Sequence, residues 1–508
     1  VLPYSPQLDS IFGHSQRLEF EGELMIKVPH GIDETRLLRN LGMNVPSPIE
    51  EHYDFPSIDG RRPFQKQIVT AAQMTMNNHF YVLNAMGTGK TKSAIWAFDY
   101  LRKAGRVKRM IVAAPLSTLR FTWEREIFNT MPSLKVVVLT GTADRRRKLL
   151  AEKADIYIIN HDGLKVLFDD LRKRPDIDVY CFDEAAAFRN SKADRSKVAR
   201  SLSERAAYVW GMTGSPTPRD PVDAFGLAKL VTPETAPRSW THFRQDTMMQ
   251  VSQFKWVPKR TAADTVSQVL QPAVRFTLDE IVELPPVIER EIQLEMGERQ
   301  AKTYKMLKDH AAALLKEGSI TAVNGGVVFG KLLQTSIGWV YGDDGKTYEL
   351  DNHARVDALL DIIDSAEGKL LVFSPFISSM EGIGRALKKD GIDHATISGD
   401  TPLKERSDVF AKFQNTVDLK VINAHPQCMS HGLTLTAADT VVWFGPVTNL
   451  ETYEQANARI RRVGQTRKQQ IIRLLASPVE RMTYDRLMLR RDLQDSVLDM
   501  IAELTEVA

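Results

Sequence analysis

The chain has 508 residues, 43% hydrophobic and 26% charged. That suits a globular protein of roughly three domains at about 150 residues each and excludes disordered, collagen-like and disulfide-stapled classes. Lys+Arg is 67 against Asp+Glu 64, a net charge of +3, so any nucleic-acid surface must be local.

The two cysteines, Cys181 and Cys428, lie far apart in apolar contexts and read as buried, reduced thiols. No apolar run approaches the about 18 residues that span a membrane. Val1-Leu2-Pro3-Tyr4 does not open a secretory signal. A cytoplasmic protein with no membrane partner is the expectation.

Residues 1–50 form a short lead. Leu18 to Val28 has strand-like residues. Asp33 is expected to cap a helix over Glu34–Leu41 that Gly42 ends. Pro46, Pro48 and Pro56 mark a linker. Residues 51–235 then alternate apolar runs with helical patterns: 81–83, 110–113, 136–139, 156–159, 179–182 and 208–210. Near-continuous apolar strands separated by helices predict a parallel sheet covered on both faces. Residues 236–345 lack the alternation and read as a helical insert, with a helix over Arg299–Lys316. In 346–480 the alternation returns, at 370–373, 395–397, 420–422, 441–444 and 471–474. The tail 481–508 reads as one amphipathic helix, Met482 to Leu504. The fold class is α/β, with two parallel-sheet lobes around a helical insert and a small N-terminal accessory segment.

The run 81–83 is followed by Asn84-Ala85-Met86-Gly87-Thr88-Gly89-Lys90-Thr91 and then a helix. Glycines let such a loop turn tightly so that backbone N–H groups and the helix N-terminus face phosphate oxygens. Lys90 would reach the outer phosphates, and the Thr91 hydroxyl would bind Mg²⁺. Asn84 replaces the usual first glycine. The blander reading is a turn that binds nothing; the strand before and helix after argue against it.

The run 179–182 ends in Asp183-Glu184, at the strand end where open α/β sheets bind ligands. Asp183 would hold Mg²⁺ through water, and Glu184 would orient and deprotonate an attacking water. Most Asp-Glu pairs are solvated loop charges; position after a buried strand, downstream of a phosphate loop, reverses that expectation.

With these motifs on the page, the chain resembles the Swi/Snf-type ATPases of helicase superfamily two. Arg61-Arg62-Pro63-Phe64-Gln65 resembles the family's adenine-reading segment, with Arg62 and Gln65 as nucleotide contacts. Pro115-Leu116-Ser117-Thr118-Leu119 with Trp123 and Glu126 resembles its first DNA-contact motif. Asp183-Glu184-Ala185-Ala186 resembles its acidic box, with Ala186 where the family has His. Thr213-Gly214-Ser215-Pro216 resembles the motif that couples hydrolysis to lobe movement. Leu284-Pro285-Pro286 with Gln300 and Tyr304 resembles the inter-lobe stretch. In the second lobe, residues 369–376, then Ile397, Gly399, Arg406 and Phe413, then 432–439, and then 455–465 continue the match. The wording around Ala424-His425-Pro426 looks most like compact bacteriophage-type members, which would place the chain in a bacterial host cytoplasm.

The resemblance implies two RecA-like lobes, ATP and Mg²⁺ as cofactors, and DNA as partner. Its nucleotide contacts fall on Gly87, Thr88, Gly89, Lys90, Thr91, Gly432 and Gln455. Arg459 and Arg462, three apart on one helix face, would cross the inter-lobe cleft to the γ-phosphate. Such an arginine is worth about 10³–10⁵ in rate. Its DNA contacts fall on Ser117, Thr118 and Arg120 in the first lobe and Ser398, Gly399, His431 and Thr434 in the second. Trp240, Phe243, Phe254 and Trp256 could stack on bases, although core packing is the plainer reading. The basic clusters 102–109 and 145–148 read as solvated faces. No strand-separating hairpin is evident. The expected activity is a monomeric, DNA-stimulated ATPase that translocates on duplex or branched DNA, remodelling forks, annealing strands or migrating junctions. The alternatives are a nucleotide-gated DNA-binding protein with decayed catalysis, motivated by Asn84, Ala85 and Ala186, and an RNA helicase of the same superfamily.

Overall fold

A computed structural model describes residues 1–506 except His14, Asp59, Arg61, residues 253–254, 317–321, Asp343, Gly345 and residues 430–433; for 311–326 and 493–506 side chains are not described. The first lobe is a seven-stranded sheet in the spatial order Ala273–Val274, His79–Val82, Tyr208–Met212, Ile177–Asp183, Arg109–Ala114, Ile156–Asn160 and Val136–Leu139. Every neighbouring pair is parallel. Two apolar clusters cover its two faces. One is built on Tyr81, Ile111, Tyr157 and Phe182, the other on Phe80, Val112, Ile158 and Trp210. Alternate residues of each strand thus feed opposite cores, which is why these strands read as unbroken apolar runs. Cys181 is buried and Cys428 half-buried, both as free thiols.

The second lobe is a six-stranded parallel sheet, ordered Val287–Gln293, Gln469–Leu475, Ala438–Trp443, Lys369–Phe373, Val421–Ala424 and His394–Ile397. All eleven apolar runs read from the sequence are strands.

The stretch 236–345 is not one helical body. Ala273–Val274 joins the first sheet and Val287–Gln293 the second. The latter is an edge strand with four consecutive exposed residues, Ile288 to Glu291. It carries no apolar run to betray it, since edge strands tolerate and favour charge. The structure also contains an antiparallel hairpin there, Met248–Gln250 with Trp256–Pro258. The helix expected over 299–316 runs Glu298–Lys316.

The lead is a three-stranded antiparallel sheet with its own small core of Leu8, Phe12, Ile26 and Leu38. The strand-like stretch 18–28 is divided between two strands, Gln16–Phe20 and Glu23–Lys27, because Glu21 and Gly22 both take positive φ and reverse the chain. The helix that follows is Ile32–Asn40, with Gly31 rather than Asp33 at the N-cap; Asp33 sits inside the first turn. Gly42, at φ +80°, ends it. Ile32 and Ile49 pack into the first lobe's core, so the lead is docked on that lobe.

The last helix, Pro478–Glu506, starts beside the second lobe's final strand and runs alongside the first-lobe helix Ala262–Val269. Its root holds a buried ion pair: Arg355 donates to both carboxylate oxygens of Glu480 at 2.8 and 2.9 Å, with side chains 2% and 0% exposed.

Candidate functional site

The loop after His79–Val82 is closed by backbone geometry that only glycine accepts readily. Gly87 and Gly89 stand at φ +81° and +83°. A Cβ on Gly89 would strike the Gln67 side chain. The helix Lys90–Lys103 leaves directly from this turn. Asn84, the departure from the usual glycine, has a local job. Its buried amide donates to Thr70 Oγ1 at 2.9 Å and accepts from the Phe276 N–H at 2.9 Å, tying the loop to the helix Gln65–Met76 and to the edge-strand exit. Lys90 Nζ donates to the carbonyls of Asn84 (2.8 Å) and Ala85 (3.1 Å), and burial pushes its ammonium below the usual range. Thr91 is half-buried at the start of the same helix, while the Thr88 hydroxyl donates to Ala85 O at 2.8 Å.

Arg62 and Gln65 are exposed. The glutamine that reaches the loop is Gln67, donating from Nε2 to Thr88 O at 3.0 Å and accepting from the Phe64 N–H. Two residues along a helix turn a side chain to the other face, so Gln67 points to the loop while Gln65 stays open to solvent.

At the acidic strand end, Asp183 is buried. Trp123 Nε1 donates to its Oδ2 at 2.8 Å, and His161 Nε2 donates to its carbonyl at 2.8 Å. Burial pushes the His161 imidazole down to about 4, so the ring is neutral and its Nε2 carries the proton. Neither partner is readable as such from the sequence, where Trp123 sits in the DNA-contact motif. Glu184 takes a left-handed backbone, φ 50° and ψ 54°, which for a non-glycine residue is a mark of a constrained site. Burial, then the carboxylates of Asp183 and Glu451, push Glu184 up to about 8. Ala186, in the histidine's place, is fully buried and its carbonyl accepts from Arg189 Nη1 at 3.0 Å.

The second lobe closes the cleft. The helix Leu450–Asn457 ends before both arginines, so Arg459 and Arg462 stand in the irregular stretch beyond it and not on one helix face. Arg459 is 2% exposed, its Nε donates to Gln455 O at 2.8 Å, and its charge acts on Glu184. Arg462 packs its stem 3.6 Å from where a Gly87 Cβ would stand, so it lies on the phosphate-type loop itself. Burial lowers both guanidinium groups, Arg462 to about 10. Gln455 is buried and holds Glu451 at 3.2 Å. Two further links cross the seam: Ser215 Oγ donates to Glu454 at 2.7 Å, and Arg461 forks onto Asp279 at 2.8 and 2.6 Å. Glu451 and Glu454 follow from no local motif, because only the closed tertiary arrangement brings that helix face to Glu184 and Ser215.

The loops expected to grip DNA are less uniform. Ser117 is half-buried, but Thr118 is buried, with both its N–H and hydroxyl donating to Pro115 O, so it shapes the loop from inside. Arg120 is exposed and paired with Glu124 at 3.1 Å. In the second lobe Arg406 clasps the carbonyls of Ser398, Gly399 and Thr401 at 3.0, 2.7 and 2.8 Å, which presents that loop outward. Thr434 is exposed beside Arg462. His431 and Gly432 lie outside the described residues, as do Arg61 and Phe254. The cluster at 102–109 is largely neutralised, Arg102 and Lys103 by Asp99, Arg106 by Asp33 and Arg109 by Asp176, whereas at 145–148 only Arg147 meets acids, Asp144 and Asp170.

Residues 354–464 match the helicase conserved C-terminal domain. Protein p41 of Acyrthosiphon pisum secondary endosymbiont phage 1 is 25% identical over 80% of this chain and 89% of its own length. The human DNA annealing helicase and endonuclease ZRANB3 is 23% identical over 82% of this chain and 38% of its own. A solved structure, the Sulfolobus solfataricus SWI2/SNF2 ATPase core in complex with dsDNA, aligns with a TM-score of 0.42 and 22% identity, covering 90% of this chain and 97% of that one. The chain spans about two-fifths of the length of several cellular relatives, 40% and 42% in two of them. Among the described residues no helix is long and apolar enough to cross a membrane. The SNF2-related domain matches residues 72–335, just over half of the chain, and this protein belongs to that family of ATP-dependent, helicase-type enzymes.

Proposed function

We propose that the chain is a DNA-stimulated ATPase that turns hydrolysis into movement along duplex or branched DNA. The observation that carries this reading is the seam. Arg459 from one lobe shares a buried cleft with Glu184 from the other, and Arg462 lies on Gly87. Phosphoryl transfer depends on positioning and charge neutralisation more than on covalent chemistry. The first lobe brings Lys90 and a carboxylate; the arginines arrive only when the lobes close. Nucleotide state therefore sets lobe spacing, and two DNA-holding loops, one per lobe, convert spacing into steps.

ATP phosphates fit the cradle because Gly87 and Gly89 leave no Cβ in the way and Lys90 has a short swing from its carbonyls. Glu184, raised to about 8 by burial and its acidic neighbours, is when ionised a stronger base toward water than an ordinary carboxylate, and Arg459 and Lys90 oppose its protonation. The Thr91 hydroxyl and the Asp183 carboxylate are hard oxygen donors that would hold Mg²⁺. Among the described residues no group of three or more His, Cys, Asp or Glu could hold a metal, so water and phosphate would complete the shell, as this ion prefers. When bound it supplies charge neutralisation on the phosphates. Fork remodelling, junction migration or annealing, the last echoed in the name of the human relative, are the tasks this motor would serve.

Phosphate release with and without duplex DNA tests the reading. Turnover should rise sharply with DNA and collapse in Lys90→Ala and Glu184→Gln. A wild-type protein indifferent to DNA, or a Lys90→Ala variant at full speed, would overturn it.

Trp123 gives a second test. The indole bridges the loop after Pro115 to Asp183 (2.8 Å). Trp123→Phe removes one hydrogen bond to a carboxylate, worth about 1.5–3 kcal/mol, and keeps most of the ring volume. DNA-stimulated kcat should fall about tenfold or more, with ATP still bound. An unchanged kcat would mean that Asp183 needs no such brace.

A further inference from the structure

One segment of the first lobe stands outside the ATP site and carries an excess of cations. Between 236 and 260 lie Arg238, Arg244, Lys255, Lys259 and Arg260 against a single carboxylate, Asp246. Among the described residues no ion pair joins any of these five cations to an acid. In the cluster 102–109, by contrast, Arg102, Lys103, Arg106 and Arg109 are all paired with aspartates.

The segment is rigid at its base and open at its face. The helix Trp240–Thr247 anchors through Phe243, 1% exposed and 6.1 Å from the Phe225 ring. The hairpin is tied back by Lys259 N–H to Thr247 O at 2.9 Å. On the outer side the Arg244 guanidinium lies 3.9 Å from the Trp256 ring centre and 5.3 Å from that of Trp240. Lys192 stands 6.0 Å from the Trp240 ring. Trp240 is 39% exposed, and Met249 and Val251 of the hairpin are 51% and 49% exposed. Lys192 belongs to the loop that leaves Asp183-Glu184, so the patch lies on the ligand-binding side of the sheet.

Unpaired cations beside an exposed indole are the pairing that a single nucleic-acid strand needs. Cations track phosphates, and an aromatic face stacks on a base regardless of its identity. A duplex has no use for the indole, because its bases are already stacked. We propose that the helix Trp240–Thr247 and the hairpin beside it form a binding site for an unpaired strand at a DNA branch, with Trp240 stacking a base and the arm's cations holding the phosphates. The proposal rests on the DNA-motor reading above and adds a substrate preference to it.

The test is a titration of the whole chain with a blunt duplex and with the same duplex carrying a short thymidine tail, followed by fluorescence anisotropy. The tail should tighten binding about tenfold in the wild type, in line with one base–aromatic stack. Trp240→Ala should lose that gain and Trp240→Phe retain most of it. The double variant Lys255→Ala/Lys259→Ala should lose it too and flatten the salt dependence of tailed binding. Thermal melting checks that each variant is folded. A tail that adds nothing in the wild type, or a Trp240→Ala variant that keeps the gain, overturns the site. If the blunt duplex still binds and stimulates turnover in that case, the motor reading stands without the arm. If no DNA binds at all, both fall.

Discussion

Arg459→Ala should lower DNA-stimulated kcat by about 10³-fold or more, while the KM for ATP stays close to that of the wild type. The side chain is buried, its Nε is held by the Gln455 carbonyl, and it shares the cleft with Glu184. An interaction made only as charge moves onto the transferring phosphate is lost from kcat and not from ground-state binding. Arg459→Lys should rescue little, since an ammonium on a flexible stem cannot reproduce a planar fork held at Nε. Steady-state phosphate release beside a nucleotide-binding titration reads both quantities. Arg459→Ala turning over at wild-type speed would show that the second lobe contributes nothing to the chemistry.

Arg355→Ala should be the most destabilising change in the second lobe. The Arg355–Glu480 pair is almost wholly buried, and Glu480 also caps Ala476 N at 2.8 Å. Removing the arginine strands a carboxylate in the interior, at a cost of about 3–5 kcal/mol. That corresponds to about 10 °C in the melting of a lobe of this size. Replacing both partners by apolar residues, Arg355→Met with Glu480→Leu, should recover much of the loss, because burying the pair costs nearly as much as its attraction returns. Calorimetry of the single and double variants measures this. Equal melting temperatures for wild type and Arg355→Ala would show that the pair is worth nothing.

What the sequence made legible follows physical lines. Buried parallel strands are legible as apolar runs because both faces of each sheet are covered; the exception is Ala273–Val274, only two residues long. Val287–Gln293 escaped notice because an edge strand can be charged. The hairpin at 248–258 escaped because its strands are only three residues each. In the site, residues that act through local backbone geometry were readable: Gly87, Gly89, Lys90, Asp183 and Glu184. Of those that act across the fold, Arg459 and Arg462 were legible only through the family resemblance, and the rest were not. Gln67, which ties the loop to the helix before it, carries no motif signal. Thr118 turned inward. Glu451, Glu454 and the Trp123–Asp183 bond exist only once distant segments meet.

The last helix has a mechanical consequence. It is 29 residues long, about 44 Å at 1.5 Å per residue, planted in one lobe and lying along the other. A rod of that length resists bending far more than a flexible connector would. The cleft therefore cannot gape freely: any separation of the lobes would have to pivot about the rod or slide along it, confined to a narrow arc as a piston is by its cylinder wall.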